Sequence, residues 1–304
     1  MQIHFGLDSW RAEWSASVVC IGTFDGVHVG HRRVIGRALE VAASREEPVV
    51  AVTFDRHPLA IIAPERAPKA VCSLRASLDQ LERLGVPATV VLPFDAVLQA
   101  TPAERFFNAV LRDQLHATEI VVGHDFAFGF GREGTPTWLA GRIETHVVPP
   151  FELMGRRVSS SSVRAAVEAG DVAAAADLLG RPFAVEGIVV GGQKLGRQLG
   201  YPTVNLARTF DQVTPADGIY AGWTETAKGK FKVACSIGMR PTVGGQSRTV
   251  EAFLIDYPGD SLYGAAVNLN LLQRLRGEVH FATLDELVVQ MGQDVELAKS
   301  VVTL

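Results

Sequence analysis

The chain is poor in cysteine, in net charge and in long apolar runs. Of its 304 residues three are cysteine, and Cys20, Cys72 and Cys235 stand far apart. That spacing supplies neither a zinc site nor a disulfide framework, so they read as small core residues of a reducing compartment. The formal net charge is −4, with 20% of residues charged, which leaves no footprint for a nucleic acid or an anionic membrane surface. The longest apolar runs, such as "EPVVAVTF" and "EGIVVGG", are far too short to span a bilayer, and "MQIHFGLDSW" lacks the regions of a signal peptide. A cytoplasmic protein whose partners are small molecules is expected, without nucleic acid or membrane. No motif encodes the oligomeric state.

What is present has two grammars. Up to about Phe151, β-rich runs ("SVVCIG", "PVVAVTF", "ATVVLPF", "EIVVGHDF", "THVVPPF") alternate with helical patterns such as "SLDQLERLG" and "PAERFFNAVLRDQL". Continuous apolar strands alternating with helices predict an open parallel α/β sheet. Two short helices follow, "SSSSVRAAVEAG" and "DVAAAADLLG", each opened by a Ser or Asp cap and closed by Gly. From about Pro182 the β-rich runs "FAVEGIVV", "GIYAGWTET", "KFKVACSI", "RTVEAFLID" and "AAVNLNLL" come without helices between them, which predicts an antiparallel sheet or barrel. Only the tail returns to helical spacing. The expected domains are 1–181 and 182–304.

In "VVCIGTFDGVHVGHRRVIGRAL" a strand runs through a glycine-bearing loop into a helix whose apolar face is Val34, Ile35, Ala38, Leu39 and Ala42. The loop delivers Gly22, Thr23, Phe24, Gly26 and Gly30 to a helix N-terminus, where outward N–H groups and the dipole favour a phosphate chain. This stretch has neither a dinucleotide G-x-G-x-x-G nor a Walker lysine. His28 and His31 take their place, as imidazolium donors to a transition state whose charge is spreading. In "VSSSSVRAA", the hydroxyls of Ser160 and Ser161 and the guanidinium of Arg164 suit the outer phosphates of a nucleoside triphosphate. A redundant helix cap is the alternative.

The second half offers "KLGRQLGYPTVNL", a glycine-rich basic turn with Gly196 and Arg197, then Thr203 and Asn205 on one strand face. A hydroxyl and an amide carbonyl are oxygen ligands of the kind Mg2+ accepts alongside water and phosphates. Glu251 in "RTVEAFLID" shares a face with Phe253 and Ile255, which suits a general base or, alternatively, a protective edge-strand charge.

The string "GTFDGVHVGH" resembles the signature of flavin-specific nucleotidylyltransferases, and "GRQLGYPTVNL", "TPADGIYAGW", "SIGMRPTVG", "RTVEAFLID" and "LYG" resemble riboflavin kinases in their expected order. Nearly the whole chain is similar to the bifunctional riboflavin kinase/FMN adenylyltransferase family. The resemblance implies a Rossmann-like nucleotidyltransferase domain followed by a six-stranded antiparallel barrel with a terminal helix. It implies ATP as co-substrate with Mg2+ at both sites, and riboflavin, FMN and FAD as substrates and products. His28, His31 and Glu251 would be catalytic, with Thr203 and Asn205 at the kinase metal. "VTFDRHP" and "VGHDFAFGFG" look like the family's flavin-side loops and offer Phe54, His57 and Phe128, whereas Phe126 reads as core. Arg240, Val204 and His280 depart from the usual asparagine, alanine and lysine. A nucleotidylyltransferase for another phosphorylated metabolite would share the histidine loop but has no use for the kinase strings. A non-catalytic flavin-binding regulator would need none of the five catalytic and metal-binding side chains.

Overall fold

Strands buried at every position, such as Ser17–Ile21 and Ala88–Leu92, have to be covered on both faces, and the first half of the chain meets that demand with a layered α/β arrangement. The computed structural model describes residues 1–10, 14–192, 195–242, 245–259 and 261–304. They fall into two compact units, Met1–Ala70 with Leu74–Ser160, and Val71–Ser73 with Ser161–Leu304.

The first unit runs β1 (Gln2–Phe5), β2 (Ser17–Ile21), α1 (Val29–Arg45), β3 (Val49–Phe54), α2 (Leu59–Ile62), α3 (Leu74–Arg83), β4 (Ala88–Leu92), α4 (Ala96–Ala100), α5 (Ala103–Phe106), β5 (Ala117–Gly123), α6 (Pro136–Ala140), β6 (Glu144–Val148) and a small hairpin of β7 (Glu152–Leu153) and β8 (Arg156–Arg157). Six strands form one sheet in the order β1-β4-β3-β2-β5-β6, and every neighbouring pair is parallel. From β2 the chain travels outward through β3 and β4, then reverses to add β5 and β6 on the other side. Such a reversal opens a crevice at the carboxyl ends of β2 and β5, the usual ligand position in an open α/β sheet. One core layer is built around Phe106, Phe107 and Leu111, the other around Ile35, Leu78 and Leu81.

Three local details differ from expectation. The edge strand β1 has an exposed–half-buried pattern too short to carry a period. In α1 the buried face includes Val41, while Leu39 is only half-buried. The helix expected over "PAERFFNAVLRDQL" narrows to α5 followed by a π-helical turn at Phe107–Arg112. The wider turn lets the consecutive Phe106 and Phe107 both reach the core.

The second unit comprises α7 (Ser160–Glu168), whose first residue belongs to the first unit, then α8 (Val172–Leu179), β9 (Phe183–Val190), α9 (Leu195–Gln198), β10 (Thr203–Ala207), β11 (Gly218–Thr226), β12 (Gly229–Thr242), β13 (Gly245–Leu254), β14 (Ala266–Arg276) and α10 (Leu284–Val301). Asp171 caps α8 by accepting from the Ala174 N–H at 3.0 Å, and Gly180 closes it at φ +67°. The strands close into a barrel in the order β10-β13-β12-β11-β14-β9, antiparallel throughout. Tyr220, Cys235, Ile237, Ala252 and Leu269 fill its interior. The helix α10 starts from a capping box of Thr283 and Glu286 and packs Val295 and Ala298, with the C-cap Val302, on the outer wall, against Ile255 and Phe253. The observed architecture matches the expected parallel α/β sheet, six-stranded barrel and terminal helix.

Candidate functional site

Between β2 and α1 the backbone turns in a way few sequences tolerate. Gly26 has φ +80°, and Phe24 and Val27 take +45° and +40°. A β-branched residue there costs on the order of 1–3 kcal/mol and persists only where its surroundings over-determine it. Here three consecutive carbonyls are held by three hydroxyls: Thr53 donates to Thr23 O at 3.1 Å, Ser77 to Phe24 O at 3.2 Å and Ser160 to Asp25 O at 3.0 Å. The Phe24 and Val27 side chains are buried beneath. With its carbonyls engaged by the protein, the turn is suited to offering N–H groups to an anion.

His28 is the N-cap of α1, and its Nδ1 accepts from the His31 N–H at 3.2 Å. An accepting Nδ1 leaves the neutral ring's proton on Nε2. The two imidazoles stack at 3.6 Å between centroids and 14° between planes, and Phe24 meets His31 edge-on at 5.4 Å. Gly30 makes room for this arrangement, since a Cβ there would lie 3.1 Å from the His28 ring. Burial, and secondarily the neighbouring His28, holds the His31 pKa well below its ordinary value. The imidazolium expectation is therefore corrected for His31, which is a neutral ring before an anion arrives.

That neutrality has a measurable consequence. Unfolded His31 takes up a proton near pH 6.5 whereas folded His31 resists it, so its share of stability is full above about pH 6.5 and is lost progressively as pH falls below. His31→Gln, which cannot titrate, is expected to lose less urea stability than the parent between about pH 7.5 and about pH 5.5. Equal losses in both proteins would refute the neutral ring.

Gly22 and Thr23 lie on the same turn, but the Phe24 ring belongs to the core, so Phe24 can offer a ligand only its backbone. Phe54, at the end of β3, is half-buried and edge-on to Phe94 at 5.5 Å. His57 is turned toward its own chain, with Nδ1 accepting from the Leu59 N–H at 3.1 Å. The two phenylalanines after β5 both pack on the core layer, to different depths. Phe128 is buried among Phe106, Phe126 and Trp138, while Phe126, with His124, Arg132 and Thr135, lines an open cleft of about 760 Å3. The string "GFGREG" nearby spells the dinucleotide pattern yet forms a 3-10 turn at Phe130–Arg132, without the strand-to-helix setting that a phosphate cradle needs. Ser161 is exposed and Arg164 half-buried on α7, in the second unit.

In the barrel, register does what strand alternation could not. Thr203 pairs with Phe253, and Asn205 stands directly opposite Glu251. Thr203 Oγ1 donates to Glu251 Oε2 at 3.4 Å, so Thr203, Asn205 and Glu251 share one outer patch. Gly192 leaves space for the Asn205 amide, which a Cβ at that position would strike. Gly196 backs onto the same patch, with Thr203 Oγ1 3.4 Å from where its Cβ would be. The sequence missed Gly192 and Ser236, which faces Glu251 from β12; the only trace was a hydroxyl in the run "KVACSI". Val204 stands opposite Ala252, and His280 is exposed. The side chains of Arg197 and Arg240 lie outside the described residues.

The FAD synthetase family model matches residues 10–162, and the riboflavin kinase family model matches residues 179–302. The chain belongs to the bifunctional riboflavin kinase/FMN adenylyltransferase family. Proteins of that name from Escherichia coli K12 and Haemophilus influenzae are similar to it. The first is 37% identical over 93% of this chain and 92% of its own length, the second 32% identical over 99% of each. A solved structure titled a macrolide-efflux protein, from Streptococcus pneumoniae, superposes with a TM-score of 0.90 at 30% identity, over 98% of this chain and 99% of that one. Among the described residues no helix is long and apolar enough to cross a membrane. The FAD synthetase match takes in the histidine turn and Ser160, and the riboflavin kinase match takes in Thr203, Asn205 and Glu251.

Proposed function

We propose that the chain phosphorylates riboflavin to FMN with ATP and then adenylylates FMN to FAD with release of pyrophosphate, the kinase chemistry belonging to residues 182–304 and the adenylyl transfer to 1–181. The observation that carries this reading is the pair of unlike polar constellations: stacked histidines on a strained turn at the reversal point of the sheet, and a carboxylate between Thr203 and Asn205 on the barrel wall.

In the kinase step Glu251 takes the proton of the riboflavin 5'-hydroxyl as its oxygen attacks the γ-phosphorus, and ADP leaves. The donor set fits Mg2+: the Thr203 hydroxyl and the Asn205 carbonyl are two hard oxygens, which suits an ion that keeps waters and nucleotide phosphates in its shell. The chemistry such an ion supplies is neutralisation of phosphate charge. Gly196 and Arg197 form the nearby turn for the nucleotide.

In the second step an FMN phosphate oxygen attacks the α-phosphorus of ATP and pyrophosphate leaves. The Gly22–Gly30 turn receives the phosphates with its backbone, His28 Nε2–H and His31 donate to the developing charge, and Ser160, Ser161 and Arg164 hold the outer phosphates. Phe54 and His57 stand on the flavin side, with Phe126 a better candidate there than the buried Phe128. The cytoplasm suits this chemistry: Cys20 and Cys235 are free thiols whose pKa burial pushes up to about 12, so neither is reactive.

The direct test incubates the purified chain with Mg-ATP and either riboflavin or FMN and resolves the products by chromatography. Riboflavin should yield FMN and then FAD, and FMN should yield FAD. Failure of either substrate to react would remove the corresponding activity. A second expectation concerns separability. Because α8 packs on β9 and β14, a fragment of residues 161–304 is expected to stay soluble, to make FMN and to make no FAD. FAD from that fragment, or a folded fragment without kinase activity, would overturn the division.

A further inference from the structure

Four arginines lie on α1, and three of them are engaged. The Arg33 guanidinium covers the Phe151 ring at 3.7 Å, Arg37 pairs with Glu40 at 3.3 Å and meets His146, and Arg45 pairs with Glu47 and Glu119. Arg32 differs from them. Its side chain makes no ion pair, hydrogen bond or ring contact among the described residues, although it is half-buried and its Nε is shut off from water. A guanidinium is charged at any working pH, and a covered donor on a charged group costs stability until an acceptor meets it. Its place says which acceptor. The Arg32 amide donates to His28 O at 3.0 Å, closing the first turn of α1. Helical side chains lean toward the N-terminus and cover the turn before their own Cα, so the Arg32 stem runs back toward His28 and the Gly22–Gly30 turn. In the proposed adenylylation that turn, the histidines and the Ser160–Arg164 segment serve the triphosphate, and His31 is a neutral ring. The FMN phosphate, which carries a charge of about −1.5 to −2 at pH 7, is left without a cation of its own.

We propose that Arg32 binds the FMN 5'-phosphate and brings its attacking oxygen to the α-phosphorus of ATP. The fork of a guanidinium suits two phosphate oxygens at once, which leaves the third free to attack. That oxygen forms the new bond to the α-phosphorus, the bond from the α-phosphorus to the bridging oxygen breaks, and pyrophosphate leaves with that electron pair. No bond changes at Arg32, and no proton leaves it. The inference rests on adenylyl transfer belonging to the histidine turn.

The experiment compares Arg32→Gln and Arg32→Lys with the parent, all as full chains, varying FMN at saturating Mg-ATP and then Mg-ATP at saturating FMN. Arg32→Gln keeps a polar stem without the charge and is expected to raise KM for FMN about tenfold to a hundredfold, the size of a hydrogen bond to a charged group, with KM for Mg-ATP unchanged. Arg32→Lys keeps the charge but not the fork, so its KM for FMN should fall between the other two. Riboflavin phosphorylation should be equal in all three. The urea midpoint of Arg32→Gln should be no lower than the parent's, because an uncompensated charge has been removed. A parent-like KM for FMN in Arg32→Gln, a rise confined to Mg-ATP, or a lowered urea midpoint with both KM values raised would each overturn the role. If the parent converts FMN to FAD and Arg32→Gln matches it, only Arg32 falls. If the parent makes no FAD from FMN, the adenylyl-transfer reading falls first.

Discussion

Glu251→Gln is expected to cut riboflavin phosphorylation by about 100-fold to 10,000-fold while FMN-to-FAD conversion continues at the parent rate. Glutamine keeps the volume and one carbonyl oxygen, so the Thr203 hydroxyl, 3.4 Å from Glu251 Oε2, retains an acceptor. What is lost is the capacity to take a proton. Glu251 lies on β13 between β10 and β12, a wall whose other face is closed by the buried Val250, Ala252 and Leu254, and an isosteric change on the outer face leaves that packing untouched. Loss of both activities would therefore indicate misfolding, visible by circular dichroism. Ordinary kinase turnover of Glu251→Gln at saturating riboflavin and Mg-ATP would remove the carboxylate from the mechanism.

The fold was legible in the sequence where burial is continuous or strictly periodic. The apolar runs of β2, β3 and β4 could only be strands covered on both faces, and the change to strands without helices after Pro182 announced the barrel. The strand β1 was not legible, because four residues, with Ile3 half-buried and Phe5 exposed, are too few to show a period. The candidate sites split along a similar line. Strand alternation put Thr203 with Asn205 and put Glu251 on a defined face, since both are local facts. Which of them meet depends on register, and register is set by the whole barrel, so Ser236 opposite Glu251 had no signal. The same holds for the histidine turn: Thr53 and Ser77, which hold its carbonyls, come from β3 and α3, and nothing in their own segments marks them. The flavin-side reading of Phe128 came from the resemblance of its loop, and the burial of that ring among Phe106, Phe126 and Trp138 had no local signal.

Loss of either histidine should reverse the Glu251 pattern: His28→Ala and His31→Ala are each expected to slow FAD formation by about a hundredfold or more, the cost of one donor to developing phosphate charge, with riboflavin phosphorylation intact so that FMN accumulates. For His28 the alanine variant changes two things, because the ring also caps α1 through Nδ1, and losing an N-cap costs about 0.5–2 kcal/mol. Two further substitutions separate these roles. Asparagine is a good N-cap whose oxygen can accept from the His31 N–H, but it is too short to supply a donor at the Nε2 position. His28→Asn should therefore unfold like the parent and still fail to make FAD. Glutamine extends a donor amide further out while capping poorly, so His28→Gln should be less stable yet recover part of the adenylylation rate. The stacking of the rings at 3.6 Å adds a condition on the double variant: because each ring holds the other in place, losses from His28→Ala and His31→Ala should be less than additive. FAD formation at the parent rate in both alanine variants would leave the histidines as an ordinary helix start. An Asn variant that is fully active would assign His28 to capping alone and leave His31 to carry the charge.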